Sequence, residues 1–121
     1  MSVRAPQRWR APRRVIAPAP DRTDLDGLAA RASLARQDPG PADLLPVSAD
    51  VVDSALSAGL RTGFLGGPWR DGFPRYAWHC ASGADGVRVL EFRLTGRVPG
   101  EYAGYELHPS EWPEGLSNHV A

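Results

Sequence analysis

The sequence contains no lysine. All 14 of its basic residues are arginine, and 14 acidic residues bring the formal net charge to zero. With 13 glycines, 12 prolines and abundant alanine, the usage resembles that of a GC-rich bacterial or phage genome. Arginine in place of lysine therefore carries less mechanistic meaning here than it usually does. The single cysteine, Cys80, excludes an internal disulfide and any cysteine-rich zinc site. There is no HxH or HExxH spacing, so no metal is expected. The segment "GFLGGP" lacks the Lys-Ser/Thr of a phosphate loop, and no cofactor is expected. No apolar run approaches the roughly 18 residues of a membrane span. "PRRVIAPAP" holds a twin arginine without a following apolar region, so the expected compartment is the cytoplasm.

The neutral total hides an uneven distribution. Residues 1–20 carry five arginines and no acid, while residues 98–121 carry four glutamates and no arginine. Residues 1–20 are rich in Arg, Pro and Ala and read as an extended or disordered arm. Arg4, Arg8, Arg10, Arg13 and Arg14, with Trp9 between two of them, form a candidate partner-binding set. Such an arm suits an anionic surface, either nucleic-acid phosphates or a protein patch. An aromatic among arginines can stack on a base or fill a pocket on a partner.

Length predicts one domain. Its expected organisation is the arm at 1–20, a helix and Pro-rich linker at 21–47, and a small α+β domain at 48–121. Residues 21–37 fit a first helix, with Thr23 and Asp26 as a capping-box-like pair and Leu25, Leu28, Ala29 and Ala32 as an apolar stripe. Residues 48–63 fit a second helix. Ser48 caps it, Asp50 and Asp53 complement its positive end, Val52, Ala55, Leu56 and Leu60 line one face, and Gly63 can end it. "LGGPWRDG" reads as a loop.

Beyond it the periodicity becomes alternating. Residues 73–81, 87–95 and 102–108 read as three strands joined by "SGADG" and "VPGE" turns. If Ala81 pairs with Val87 and Val98 with Glu101, Tyr76 and Trp78 face Phe92 and Leu90, and Phe92 and Leu94 face Leu107 and Tyr105. Both turns then put the apolar residues on one side, where the second helix would cover them. The expected fold is α+β: one or two N-terminal helices followed by a three-stranded antiparallel meander. The first and third strands would be edges open to pairing with another chain.

The same pairing places Arg75, His79, Glu91, Arg93, Glu106 and His108 on the other side. Cys80 alternates with His79 and points into the core as a small hydrophobe. Helices followed by an antiparallel sheet with such a face resemble small bacterial ribonucleases and ribonuclease toxins of the barnase and RelE kind, over residues 48–108 and in architecture only. Metal-independent RNA cleavage needs a base, an acid and cations for the phosphate. Glu91 would be the base, His79 or His108 the acid, and Arg75 and Arg93 the phosphate clamp. Charged residues on a solvated sheet face are also ordinary cross-strand pairs. The leading expectation is accordingly a small, soluble, non-enzymatic accessory or interaction protein that uses the basic arm and the polar sheet face. The ribonuclease is the alternative.

Overall fold

The structure, a computed structural model, describes residues 25–37, 49–62, 64–83, 86–113 and 116. The arm, the linker at 38–48, and the caps expected at Thr23, Ser48 and Gly63 lie outside those residues. In chain order the elements are α1 (Leu25–Arg31), β1 (Ser33–Gln37), α2 (Ala49–Thr62), β2 (Leu65–Arg70), β3 (Phe73–Gly83), β4 (Gly86–Leu94) and β5 (Glu101–Leu107), followed by a 3-10 turn at Pro109–Glu111. The fold is α+β. Its sheet has five strands in the order β1-β5-β4-β3-β2, with β1 parallel to β5 and the other neighbours antiparallel. No helix among the described residues is long and apolar enough to cross a membrane.

The second helix forms where its pattern places it. Val52, Ala55, Leu56 and Leu60 recur at helical spacing and all are buried, each large aliphatic contributing about 1.5–3 kcal/mol. Asp50 lies in its first turn and Arg61 in its last, matching the dipole. The buried face packs on Leu65, Ala77, Leu90, Phe92, Leu94 and Tyr102, and α1 adds Leu25, Leu28 and Ala29 to the same core. The Tyr102 hydroxyl donates to the Pro74 carbonyl at 2.6 Å, closing the buried end of this layer.

Several expectations are corrected. The first helix ends at Arg31, and residues 33–37 are a strand. Ala, Leu, Arg and Gln favour helix locally, but the edge of β5 offers backbone partners. Ser33 N–H donates to the Gly100 carbonyl at 3.0 Å, and Leu34 pairs with Tyr102. Tertiary pairing overrides propensity. The segment "LGGPWRDG" is not a loop but strand β2 and a hairpin turn. Pro68 is accommodated because β2 is an edge strand with a register shift between Gly66 and Trp69, where a missing N–H is tolerated. Asp71 and Gly72 both have positive φ, 54° and 84°, the geometry of a two-residue hairpin. The strands at 73–83 and 101–107, expected as edges, are therefore interior, and β1 and β2 are the edges.

The registers also differ. Gly83 pairs with Gly86, so Ala81 lies opposite Arg88 rather than Val87. The "VPGE" turn forms, with Glu101 N–H donating to the Val98 carbonyl at 3.1 Å. The strands do not continue from it, because Thr95 N–H donates to the Glu101 carbonyl and Leu94 pairs with Tyr102. Phe92 therefore faces Gly104 rather than Leu107. Both displacements are odd, and an odd slip moves a strand's side chains to the other face. Leu90, Phe92 and Leu94 still meet α2, but Trp78, Val89 and Leu107 form a second buried cluster on the far face. Tyr76, Cys80, Tyr105, Trp112 and Leu116 join it. The sheet is thus covered on both sides rather than one.

The helix lies very close to the sheet at one point. A Cβ at Gly59 would sit 2.7 Å from the Trp78 carbonyl oxygen. Alanine there gains about 1 kcal/mol of helix propensity but forces helix and strand backbones apart, an overpacking cost of about 1–3 kcal/mol. Gly59→Ala is expected to lower the unfolding free energy by up to about 2 kcal/mol, measured by urea denaturation; an increase in stability would show that the contact is slack.

Candidate anion-binding site

The far face of the sheet is organised in lanes running across the strands. At one end Cys80, Val89 and Leu107 lie side by side, in the cluster joined by Trp112 and Leu116. In the middle, Trp78, Glu91 and Tyr105 are direct neighbours. Glu91 is 0% exposed. Its carboxyl accepts from Trp78 Nε1 at 2.9 Å and from the Tyr105 hydroxyl, which answers the desolvation that burying a carboxyl imposes. At the other end Tyr76, Arg93, Ala103 and Arg36 follow one another across β3, β4, β5 and β1.

This last lane is open. Arg36, Arg75, Arg93, Thr95, Arg97 and Ala103 line a concavity of about 340 Å³. The small Ala103 side chain belongs to its lining, and the loop after β4 contributes Thr95 and Arg97. Arg97 is tied to Glu101, with Nη2 at 3.0 Å from Oε1, and the Thr95 hydroxyl donates to the same oxygen at 2.6 Å. The hydrogen bond from the Thr95 hydroxyl holds the Glu101 carboxyl below the usual carboxylate range; desolvation opposes it, and the charge and hydrogen bond of Arg97 add to the lowering. The Arg75 guanidinium lies 5.8 Å from the Tyr76 ring centroid. Among the described residues, neither Arg75 nor Arg93 has an ion-pair partner. Converging guanidinium forks present several donors to one anion and are suited to bidentate binding of phosphate or carboxylate oxygens.

The six residues expected on one polar face are divided. Arg75 and Arg93 both line the concavity, but not as the expected cross-strand pair, since Arg93 lies opposite Tyr76. Glu91 lies on the far face but is sealed beneath Trp78 and Tyr105. His79 pairs with Leu90, as does Glu106, and Leu90 belongs to the α2-side core; His79 and Glu106 therefore point away from Glu91. Glu106, 6% exposed, is held by Arg88 through two contacts, one of them Nε to Oε2 at 2.9 Å. The expected pairing of Arg93 with Glu106 is replaced by this one, and Arg93 faces Ala103. His108 caps the 3-10 turn: its Nδ1 accepts from Ser110 N–H at 3.2 Å and meets Ser110 Oγ at 3.0 Å. Cys80 is half-buried on the Trp78 side, and burial raises its thiol pKa. No group of three or more His, Cys, Asp or Glu that could hold a metal occurs among the described residues. The arm residues Arg4, Arg8, Trp9, Arg10, Arg13 and Arg14 lie outside the described residues.

Arg36 and Arg97 are the site residues that sequence reasoning missed. Arg36 sits in a stretch with helical propensity, and only its pairing with Ala103 places it. Arg97 lies in a glycine-flanked turn whose position depends on the β4–β5 register. No protein-family model, curated protein or solved structure matches the chain.

Two outcomes follow from this geometry. Glu91→Ala leaves the buried Trp78 N–H without an acceptor and opens a cavity; stability should drop by at least about 1–3 kcal/mol, measured by denaturant unfolding, while Glu111→Ala at the half-exposed 3-10 turn should be near neutral. Burial lowers the His79 pKa, so the unfolded chain binds a proton more readily than the folded one. Stability contributed by neutral His79 is present above the unfolded value of about 6.5 and is lost as pH falls through the folded value. Thermal unfolding of the wild type should therefore show falling stability below about pH 6.5, and His79→Gln should flatten that decline; an unchanged profile would remove His79 as its source.

Proposed function

We propose that this chain is a small non-enzymatic interaction protein that docks an anionic partner in the arginine-lined concavity, with the basic arm adding a second contact. The observation that supports this reading is the convergence of four arginines, Arg36, Arg75, Arg93 and Arg97, on one open space. Arg97 is already paired with Glu101, but an anion placed between Arg75 and Arg93 would offset their mutual repulsion while accepting their hydrogen bonds. The five arginines of residues 1–20 extend the same preference and would steer an anion toward the domain. The ribonuclease alternative keeps Arg75 and Arg93 as phosphate-holding groups, but it is disfavoured because Glu91 is fully buried and held by Trp78 and Tyr105, His79 projects from the opposite face, and His108 is engaged as the cap of the 3-10 turn. Intact total RNA after prolonged incubation is the result this reading expects.

Two fluorescent probes test it, a homopolymer oligonucleotide and an oligoglutamate peptide, each titrated by anisotropy at low salt. At least one should bind. Arg75→Ala with Arg93→Ala should weaken that binding by about tenfold or more per arginine, given charge-assisted hydrogen bonds of about 1.5–3 kcal/mol. Replacing Arg8, Arg10, Arg13 and Arg14 by Ser should weaken it further and reduce its salt dependence. Failure of both probes to bind would overturn the proposal.

A further inference from the structure

We infer that the concavity is one end of a longer track and that its occupant is a single-stranded nucleic acid; this rests on the anion-docking reading above. A second concavity of about 180 Å³ lies beside the first and is lined by Arg70, Arg97, Val98 and Pro99 among others. The two share Arg97 and Leu94. Arginines therefore recur from one space into the next, on β1, β3, β4, the loop after β4 and the end of β2. A lone carboxylate or phosphate needs only the first space. A chain of regularly spaced phosphates uses both.

The second observation concerns the apolar surface along the track. Val98 is 54% exposed, one of two large hydrophobic residues so exposed among the described residues. It stands with Pro99 between Arg97 and the turn at Arg70 and Asp71. Cations that follow a backbone, with apolar surface beside them for sugars and bases, suit a single strand. Asp71 is the one acid among the described residues lining either space, and Glu101 pairs with Arg97, so five arginines against two acids leave the track cationic. Duplex geometry is a poor match. The track runs over strands, strand ends and the loop after β4, and α2, the one long helix among the described residues that could enter a major groove, is packed against the sheet through its apolar face.

Anisotropy titrations of the full-length protein test this with single-stranded homopolymers of roughly 4 and roughly 12 nucleotides, a duplex of the longer length, oligoglutamate, and inorganic phosphate as competitor. The longer single strand should bind best, clearly tighter than the shorter one and the duplex, and phosphate should displace it only weakly. Each arginine lost should lower the log–log salt slope by about 0.7, hence by about 1.4 for Arg75→Ala with Arg93→Ala. Val98→Asp should weaken the longer strand several-fold. Ser54→Asp, which makes the same charge change on exposed α2, should leave binding unchanged. Equal binding of duplex, no dependence on strand length, or no effect of Val98→Asp would each overturn the single-strand assignment. Binding of oligoglutamate without oligonucleotide would also overturn it and leave the docking reading standing. Loss of binding to every probe would remove both.

Discussion

A carboxyl group buried in the central strand of a sheet has to be answered by donors from the strands on either side. Glu91 occupies that position in β4, and the indole of Trp78 and the hydroxyl of Tyr105 answer it. Both donors are its direct cross-strand neighbours. A slip of either flanking strand by one residue would send the donor to the other face and strand the carboxyl in a water-poor layer. Hydrogen bonds of this kind add little net stability when made and cost about 1–3 kcal/mol when lost. Glu91 therefore acts mainly as a selector of register, and the rest of the sheet follows from the alignment it favours.

That alignment decides what each face can do. On the α2 side it gathers Leu90, Phe92, Leu94, Ala77 and Tyr102 under the helices. On the far side it sets an apolar lane, a hydrogen-bonded lane and an arginine lane in sequence. Trp112 and Leu116 join the cluster at the apolar lane, while the arginine end keeps an open concavity. Separation by the Trp78–Glu91–Tyr105 lane keeps the hydrophobic and cationic ends of one face apart.

Much of the helical part was legible because α2 carries a strong apolar repeat and acidic residues near its start. The alternation in 73–83 and 86–94 was legible for the same reason. Register was not, because the choice between a two-residue and a five-residue turn at "SGADG" depends on partners for Trp78 and Glu91 that lie in other strands. A buried carboxyl looks like a surface carboxyl in sequence. The β2–β3 hairpin did carry a local signal, Asp71-Gly72 between residue pairs that can extend, but Gly66, Gly67 and Pro68 masked it as a loop. Strand β1 carried no such signal, since five residues with helical propensity become a strand only when β5 is there to pair with. The candidate site inherits this. The register expected from the turns set Arg93 opposite Arg75, but Arg93 pairs with Tyr76, so the meeting of Arg75 and Arg93, like the places of Arg36 and Arg97, depends on long-range pairing.

The position of Arg36 has a mechanical consequence. Strand β1 is short, parallel, at the edge of the sheet, and interrupted by a shift between Leu34 and Arg36. It has fewer interactions holding it than the strands inside. An anion held jointly by Arg36, Arg93 and Arg75 would span from this outer strand across β5 to the middle of the sheet. It would act as a fastener for the weakest seam of the fold, and by linkage its grip and the seam's closure would strengthen each other. With an anion bound, occupancy of the concavity and pairing of β1 would become two readings of one equilibrium.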